Sequence, residues 1–319
     1  MDGEEQDRAH QAELTRDGAG LSPGEHARFV RSGGRDRQYR LYLPRRRAAG
    51  WTRWPVVLAF HGGGSTAEAM VEFCGLNETA DRYGFAVVYP SGTGRTDGAL
   101  TWNGGNCCGR ALKDGIDDVG FVNDLLDDLA SQVAVDEGSV FATGMSNGAM
   151  LAYRVASELS DRIAAIAPVA GPMGTCDCRP TRPVGVCHFH GTLDEFAPLG
   201  GGIGVRSLSK ARFFSVAHSI MNWVRANGCD WMPVVEELPT IVDDGTRVVR
   251  ARHAAGRGAA VGQDAPVEQG RAEVVLHTIH GAGHTWPGRD TFLTMLGPVT
   301  KNVSANEVMW TFFKRHRRS

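Results

Sequence analysis

Ser139-Val-Phe-Ala-Thr-Gly-Met-Ser146-Asn-Gly-Ala-Met-Leu151 decides how the chain is read. A short apolar run gives way to Gly144-Met145-Ser146-Asn147-Gly148 and then to helix-forming residues. That pattern predicts a strand, a sharp turn and a helix. A serine hydroxyl on such a turn stands clear of the sheet edge, where it can reach an acyl carbon. The turn is tight enough that positions 144 and 148 must carry no side chain where strand and helix close on each other. The helix then aims its first N–H groups, and the positive end of its dipole, at the oxyanion that attack creates. The pattern alone is not specific. With 41 glycines in 319 residues, chance gives on the order of a few tenths of a match per chain. The remaining residues must supply the partners.

Upstream, Pro55-Val-Val-Leu-Ala-Phe-His61 is a continuous apolar run, as in a central strand buried on both faces. It empties into Gly62-Gly63-Gly64-Ser65. Three glycines after a buried strand cost backbone entropy and offer bare N–H groups in return. Gly63 and Gly64, with Asn147 after the serine, are therefore the expected oxyanion-hole donors, a plain glycine turn being the alternative. Gln38 to Pro44 alternates and ends at proline, which suits an early antiparallel strand. Tyr83 to Pro90 is a further buried strand, followed by a long Gly-rich loop from Ser91 to Gly115 that contains Trp102, Cys107 and Cys108. Loops of that length inside compact domains are usually functional. Asp118 is read as capping a helix to about Ser131, and the pair Asp117/Asp118 as helix-start carboxylates rather than an acid–base pair.

Downstream of the serine, Ile163 to Ala170 and Val184 to His190 read as buried strands, the second emptying into Gly191-Thr-Leu-Asp194. Ser215 to Asn227 is an amphipathic helix with Gly228 just past its end. Thr240 to Glu268 reads as a polar hairpin with a surface loop. Ala272 to Ile279 is the last strand, followed by His280-Gly-Ala-Gly-His284-Thr-Trp286. Ser304-Ala-Asn-Glu307 is a capping box opening a C-terminal helix. Strands alternating with helices predict one α/β domain over 21–319, a mostly parallel sheet with helices on both faces, after a disordered leader at 1–20.

Composition sets bounds. Hydrophobic content of 42% and charged content of 22% are ordinary for a globular protein. A formal charge of −2 gives no electrostatic case for nucleic acid or an anionic membrane as partner. The first residues, Met1-Asp-Gly-Glu-Glu-Gln-Asp-Arg8, carry neither a basic nor an apolar signal region. A cytoplasmic location is the default expectation, and a secreted one would need a signal already removed. Seven cysteines are too few for a disulfide scaffold, and the odd count leaves one unpaired.

A nucleophilic serine needs a base, and the base needs a carboxylate to fix its tautomer. In α/β-hydrolases the order along the chain is Ser, acid, His. Asp194 and His284 each follow a buried strand after the elbow, which puts both in loops at the carboxyl ends of strands, where open α/β sheets bind ligands. The rivals are worse placed: Glu195 is one residue further from its strand, His280 belongs to a strand end and His188 lies within a strand.

Gly144-Met-Ser-Asn-Gly148, His188-Phe-His-Gly-Thr-Leu-Asp194, Gly283-His-Thr-Trp-Pro-Gly288, Trp102 with Cys107-Cys108-Gly109, and Asp117-Asp-Val-Gly-Phe121 together resemble the esterase/polyhydroxybutyrate depolymerase family. That family includes feruloyl and acetylxylan esterases, and the resemblance runs from about Gly24 to the C-terminal helix. It implies an α/β-hydrolase fold, no cofactor and carboxylic ester hydrolysis, with Ser146 as nucleophile, Asp194 as acid and His284 as base. The substrate expected is a small-molecule or oligosaccharide ester, feruloyl or a related cell-wall ester first, acetylxylan or a hydroxyalkanoate oligomer as alternatives. Trp102 and Trp286 are expected to form a flat apolar wall against an aromatic acyl group or a sugar face, plain packing being the alternative for Trp286. Relatives often pair a cysteine such as Cys229 with one just before the last strand, and Arg247 to Val275 contains none, so Cys229 is expected free or differently paired. Two distant alternatives are a metal protein using Cys107, Cys108, Cys176, Cys178 or His188 and His190, and a non-catalytic hydrolase fold. The cysteine spacing matches no C-x2-C pair, and two histidines in a strand offer only two ligands.

Overall fold

The computed structural model describes residues 21–47, 49–255, 272–291 and 293–318. The expected leader at 1–20, and the end of the loop expected within Thr240–Glu268, lie outside the described residues. In chain order the described elements begin with strands β1 (Gly24–Ser32), β2 (Arg35–Leu43) and β3 (Trp54–Phe60). Helices α1 (Ala67–Cys74) and α2 (Leu76–Tyr83), strand β4 (Ala86–Pro90), the two-residue strands β5 (Thr93–Gly94) and β6 (Leu100–Thr101), and helices α3 (Gly109–Lys113) and α4 (Asp118–Gln132) follow. Then come β7 (Val135–Met145), α5 (Asn147–Glu158), β8 (Ala165–Val169), β9 (Gly185–Gly191), α6 (Val216–Ala226), β10 (Val234–Glu237), β11 (Arg247–His253), β12 (Val274–His280) and α7 (Ala305–Arg315).

Ten of these strands form one sheet in the order β1-β2-β4-β3-β7-β8-β9-β12-β11-β10. The six central strands from β4 to β12 pair in parallel, and the flanking pairs are antiparallel. The continuous apolar runs explain the centre: every residue of β3, β4, β8 and β9 is buried. Successive side chains on a strand point to opposite faces, and both faces here are covered. Val56, Leu58 and Phe60 of β3 pack with Phe121, Leu125, Leu151, Ile220 and Trp223 of α4, α5 and α6. The intervening Val57 and Ala59 pack with Met70, Leu76, Met309 and Phe313 of α1, α2 and α7. Each such fully buried large side chain contributes roughly 1.5–3 kcal/mol.

Four features depart from the sequence reading. Strand β1, which alternates half-buried and exposed residues at the sheet edge, has no apolar signature to announce it. Arg247–His253, read as part of a polar hairpin and loop, is a full strand between β10 and β12. The cap of α4 is Asp117, whose side chain accepts the Gly120 N–H at 2.8 Å. Asp118 instead turns inward to a buried ion pair with Arg37 at 2.8 Å and also accepts the Asn103 N–H. At α7, Ser304 accepts the Glu307 N–H at 3.4 Å. The Glu307 carboxylate, however, takes Arg82 at 2.7 Å and the Tyr83 hydroxyl.

Candidate active site

Parallel packing brings the carboxyl ends of β3, β7, β8, β9 and β12 to one edge of the sheet, and Ser146, Asp194 and His284 each follow one of those strands there. At the elbow, a Cβ on Gly144 would meet the Gly148 carbonyl carbon at 2.5 Å, and one on Gly148 would meet the Phe60 and His61 carbonyl oxygens at 2.3 and 2.5 Å. Ser146 sits between them with φ 57° and ψ −117°, outside the comfortable regions for a side-chain-bearing residue. It holds that conformation because its own N–H donates to Val169 O at 2.9 Å. It occupies the N-cap of α5 yet its side chain caps nothing. From Ser139 to Tyr153 it is the one residue that is not buried.

His284 Nδ1–H donates to Asp194 Oδ2 at 2.7 Å, with both side chains buried. A carboxylate on Nδ1 fixes the tautomer and leaves Nε2 as the basic nitrogen. The other carboxylate oxygen, Oδ1, accepts the N–H groups of Phe196 at 2.9 Å and Ala197 at 2.8 Å. Burial on its own would raise the Asp194 carboxyl. The adjacent His284 imidazole, and hydrogen bonds from His190 and His284, outweigh burial and hold it well below the usual carboxylate range. His284 is anchored through its N–H to Leu296 O at 2.7 Å, and its ring stacks on Phe196 with centroids 4.9 Å apart. The rival acids and bases are otherwise engaged. Glu195 is exposed and paired with Arg206, and His188 lies within β9, its Nδ1 on the Tyr153 hydroxyl at 2.9 Å. His280 ends β12, half-buried.

The glycine loop lies against the elbow: a Cβ on Gly62 would be 3.8 Å from Ser146 Cβ, and one on Gly63 would be 3.4 Å from Asn147 Cβ. Gly64 does not fit the donor role expected of it, because its N–H already donates to Leu100 O at 2.8 Å. Gly63 and Asn147 remain.

The two tryptophans form no wall. Trp102 is 0% exposed and its indole N–H donates to His61 O at 2.9 Å. Trp286 is 1% exposed and donates to Asn306 Oδ1 at 2.8 Å. Each ring is packed with its polar edge satisfied inside the protein, which leaves no face for a substrate. Trp102 braces the site instead. Its backbone N–H and C=O bond the Asn147 side-chain amide at 2.7 and 3.0 Å. Its indole holds the carbonyl of His61, whose Nδ1–H donates to Gly62 O at 2.8 Å while Nε2 accepts the Gly92 N–H at 3.0 Å. Burial lowers the His61 pKa to about 4, so the ring is neutral in this role.

Sequence reasoning missed Phe196. It is half-buried, one face on His284, directly after the Asp194–Glu195 pair. Exposed Leu193, Leu293 and Met295 stand on the two loops that carry Asp194 and meet His284. An apolar residue exposed beside an expected acid was the available signal. Of the potential metal ligands, Cys107 and Cys108 form a disulfide and His188 Nε2 bonds His190 Nδ1 at 3.0 Å, while Cys176 and Cys178 are free thiols. Cys229 is a free thiol whose S–H donates to Ala272 O at 3.1 Å. Among the described residues, no three His, Cys, Asp or Glu side chains gather as a metal site. No helix among them is long and apolar enough to cross a membrane.

An open, mostly parallel sheet of this order, with a serine on a strand–helix elbow at its carboxyl edge, defines an α/β-hydrolase. The profile of the family described as Esterase PHB depolymerase matches residues 37–177. NocK of Nocardia uniformis subsp. tsuyamanensis, an esterase by name, is 32% identical over 273 residues, covering 82% of this chain and 74% of its own length. The chain therefore belongs to the esterase/polyhydroxybutyrate depolymerase family, whose members are carboxylic ester hydrolases, and it is one of them. Feruloyl esterase B of Piromyces equi is 30% identical over 138 residues, 41% of this chain, and the match spans only 25% of that longer protein. An acetyl xylan esterase from Aspergillus awamori shares the fold, with a TM-score of 0.57 at 16% identity over 90% of this chain and 99% of its own.

Proposed function

We propose that the protein cleaves carboxylic esters by acyl transfer to Ser146, with His284 as general base and acid and Asp194 as the carboxylate that orients it. The observation that carries this reading is the 2.7 Å bond between His284 Nδ1 and Asp194 Oδ2 at the sheet edge where the elbow presents Ser146. His284 Nε2 takes the Ser146 proton as the hydroxyl oxygen attacks the ester carbonyl. The N–H groups of Asn147 and Gly63 hold the oxyanion, and the α5 dipole adds to them. His284 then returns the proton to the leaving alcohol, and water repeats the sequence on the acyl-enzyme to release the acid.

For the substrate, an aromatic acyl ester of the feruloyl type is favoured by Phe196, stacked on His284 with Leu193 and Met295 exposed nearby. A flat phenyl ring finds there an aromatic edge and aliphatic contacts, which an acetyl group would leave unused. Acetylxylan is the second reading, favoured by relatives carrying that name. The test is hydrolysis of p-nitrophenyl acetate, methyl ferulate, acetylated xylan and a hydroxybutyrate oligomer by wild type, Ser146→Ala and Phe196→Ala. Ser146→Ala is expected to lose at least about 10³-fold in kcat on every substrate turned over. Phe196→Ala is expected to lose about 10-fold in kcat/KM on methyl ferulate and little on acetate. Turnover surviving in Ser146→Ala rejects the nucleophile, and equal losses on both esters reject the aromatic preference.

A further inference from the structure

Behind the carboxylate of Asp194 lies a buried line of polar side chains that ester hydrolysis as described does not use. Tyr153 Oη is 2.9 Å from His188 Nδ1, His188 Nε2 is 3.0 Å from His190 Nδ1, and His190 Nε2 is 2.7 Å from Ala197 O and 3.3 Å from Asp194 Oδ2. Tyr153, His188 and His190 are 0%, 0% and 1% exposed. The spacing has a simple origin. His188 and His190 are two apart on β9, so both rings project from the same face of the sheet, the face covered by α5 and its Tyr153.

The hydrogens in this line can be placed from its two ends. A backbone carbonyl and an ionised carboxylate only accept, so His190 Nε2 carries a proton. A neutral His190 then has a lone pair on Nδ1, which accepts from His188 Nε2–H. His188 in turn offers its Nδ1 lone pair to the Tyr153 hydroxyl, which donates. Each proton position fixes the next, and the last, on His190 Nε2, is bonded to Ala197 O at 2.7 Å and lies 3.3 Å from Asp194 Oδ2. The reverse arrangement would set the His190 Nε2 lone pair against two acceptors. A cationic ring is opposed at His188, where burial and then the neighbouring His190 and His277 push the pKa well below its ordinary value.

We propose that Tyr153, His188 and His190 form a tautomer relay that locks His190 as a donor to Asp194 and thereby sets the basicity of His284. The three are positioning residues, and the inference rests on the reading of Asp194 and His284 as the catalytic pair. The groups around the line are few. His284 faces Asp194 from the loop after β12 and Cys178 approaches Tyr153, whereas His277 of β12 and Cys187 of β9 lie on the opposite face of the sheet, His277 stacked on Phe189 with its Nδ1 3.8 Å from Cys187 Sγ. Trp223 of α6 closes the Tyr153 end with its ring centroid 6.3 Å away. A donor on Asp194 withdraws negative charge from the carboxylate, so its loss leaves more charge for the His284 imidazolium and raises the His284 pKa.

The first test needs no variant and no substrate. Nitrogen-15 NMR of the wild-type protein at pH 7 is expected to show His188 and His190 as neutral rings protonated on Nε2. A proton on Nδ1 of either ring, or a doubly protonated ring, overturns the relay. The second test titrates His284 by its own ring resonances in wild type, His190→Leu, His190→Gln and Tyr153→Phe. His190→Leu is expected to raise the His284 pKa by about half a unit. His190→Gln, which can again donate an amide N–H, is expected to return it, and Tyr153→Phe to move it the same way by less. An unchanged His284 pKa in folded His190→Leu and Tyr153→Phe overturns the proposal. The acid limb of kcat/KM on p-nitrophenyl acetate should follow the NMR value. A His284 shift in a protein without esterase activity would keep the relay and reject the catalytic reading.

Discussion

Gly148→Ala tests whether the elbow depends on the bare approach of helix to strand. A Cβ at 148 would lie 2.3 Å from Phe60 O, 2.5 Å from His61 O and 2.6 Å from Phe60 C. An ordinary carbon–oxygen contact is about 3.2 Å or longer, so close to 1 Å of separation must come from somewhere. All three atoms are backbone at the buried end of β3, and no side-chain rotamer relieves the clash. Phe60 is held in register with Gly144 of β7, so the start of α5 has to lift, or the His61–Gly63 segment has to retreat. Either movement opens the contact between Gly63 and Asn147. Overpacking of this kind costs about 1–3 kcal/mol, and a misplacement near 1 Å in a reacting site costs about 10²-fold in rate. The assay is guanidinium unfolding followed by circular dichroism, with kcat/KM for p-nitrophenyl acetate on the same samples. Gly98→Ala is the control, since nothing lies within 4 Å of a Cβ there. Gly148→Ala within about 0.5 kcal/mol and threefold of wild type, on the scale set by those two principles, would refute the steric account.

Two further perturbations follow from buried groups. His61 and His277 are held neutral, burial lowering them to about 4 and about 3. The unfolded chain protonates both near pH 6.5 while the folded protein refuses the protons, so their contribution is full above pH 6.5 and is lost as pH falls toward 4. Together they are expected to remove about 4 kcal/mol of stability between pH 7 and pH 5, measured as guanidinium midpoints, and a loss under about 1 kcal/mol would contradict the assignment. Asp118→Ala leaves the Arg37 guanidinium buried beside Phe121 with Ser91 O as its remaining hydrogen-bond partner, and strips the Asn103 N–H of its acceptor. A cost of about 3–5 kcal/mol is expected, and chemical unfolding showing less than about 1 kcal/mol would mean the ion pair is dispensable.

The sequence carried the strand–loop positions of Ser146, Asp194 and His284 because a parallel sheet sends every such loop to one edge. Continuous apolar runs such as Pro55–Phe60 and Val184–Phe189 announce buried strands without help from distant residues. Strands in the antiparallel flanks of the sheet make no such announcement. β1 and β11 are polar on their outer faces and exist because β2 and β12 offer ladders to pair with. The long loop after β4 was recognisable as important, but its contacts were not, since Asn147 and Asp118 reach Trp102 and Asn103 from 45 and 15 residues away. A tryptophan that walls a pocket and one that braces a loop read alike in one dimension.

Asp118 was legible and went unread. It shares the helical face of Phe121, Val122 and Leu125, three, four and seven residues on, so the amphipathic stripe that located α4 also places its carboxylate in the core. A carboxylate in the core needs a cation, and Arg37 stands on β2 with its guanidinium 3.9 Å from the Phe121 ring. The same periodicity argument applies to His188 and His190. Their two-residue spacing in a strand of otherwise apolar residues puts two imidazoles on one buried face, where each needs a partner. On that periodicity the stretch from His188 to Asp194 holds more than the proposed catalytic acid. It places two hydrogen-bonded imidazoles behind the carboxylate, the nearer with its Nε2 3.3 Å from Asp194 Oδ2, before the chain has turned.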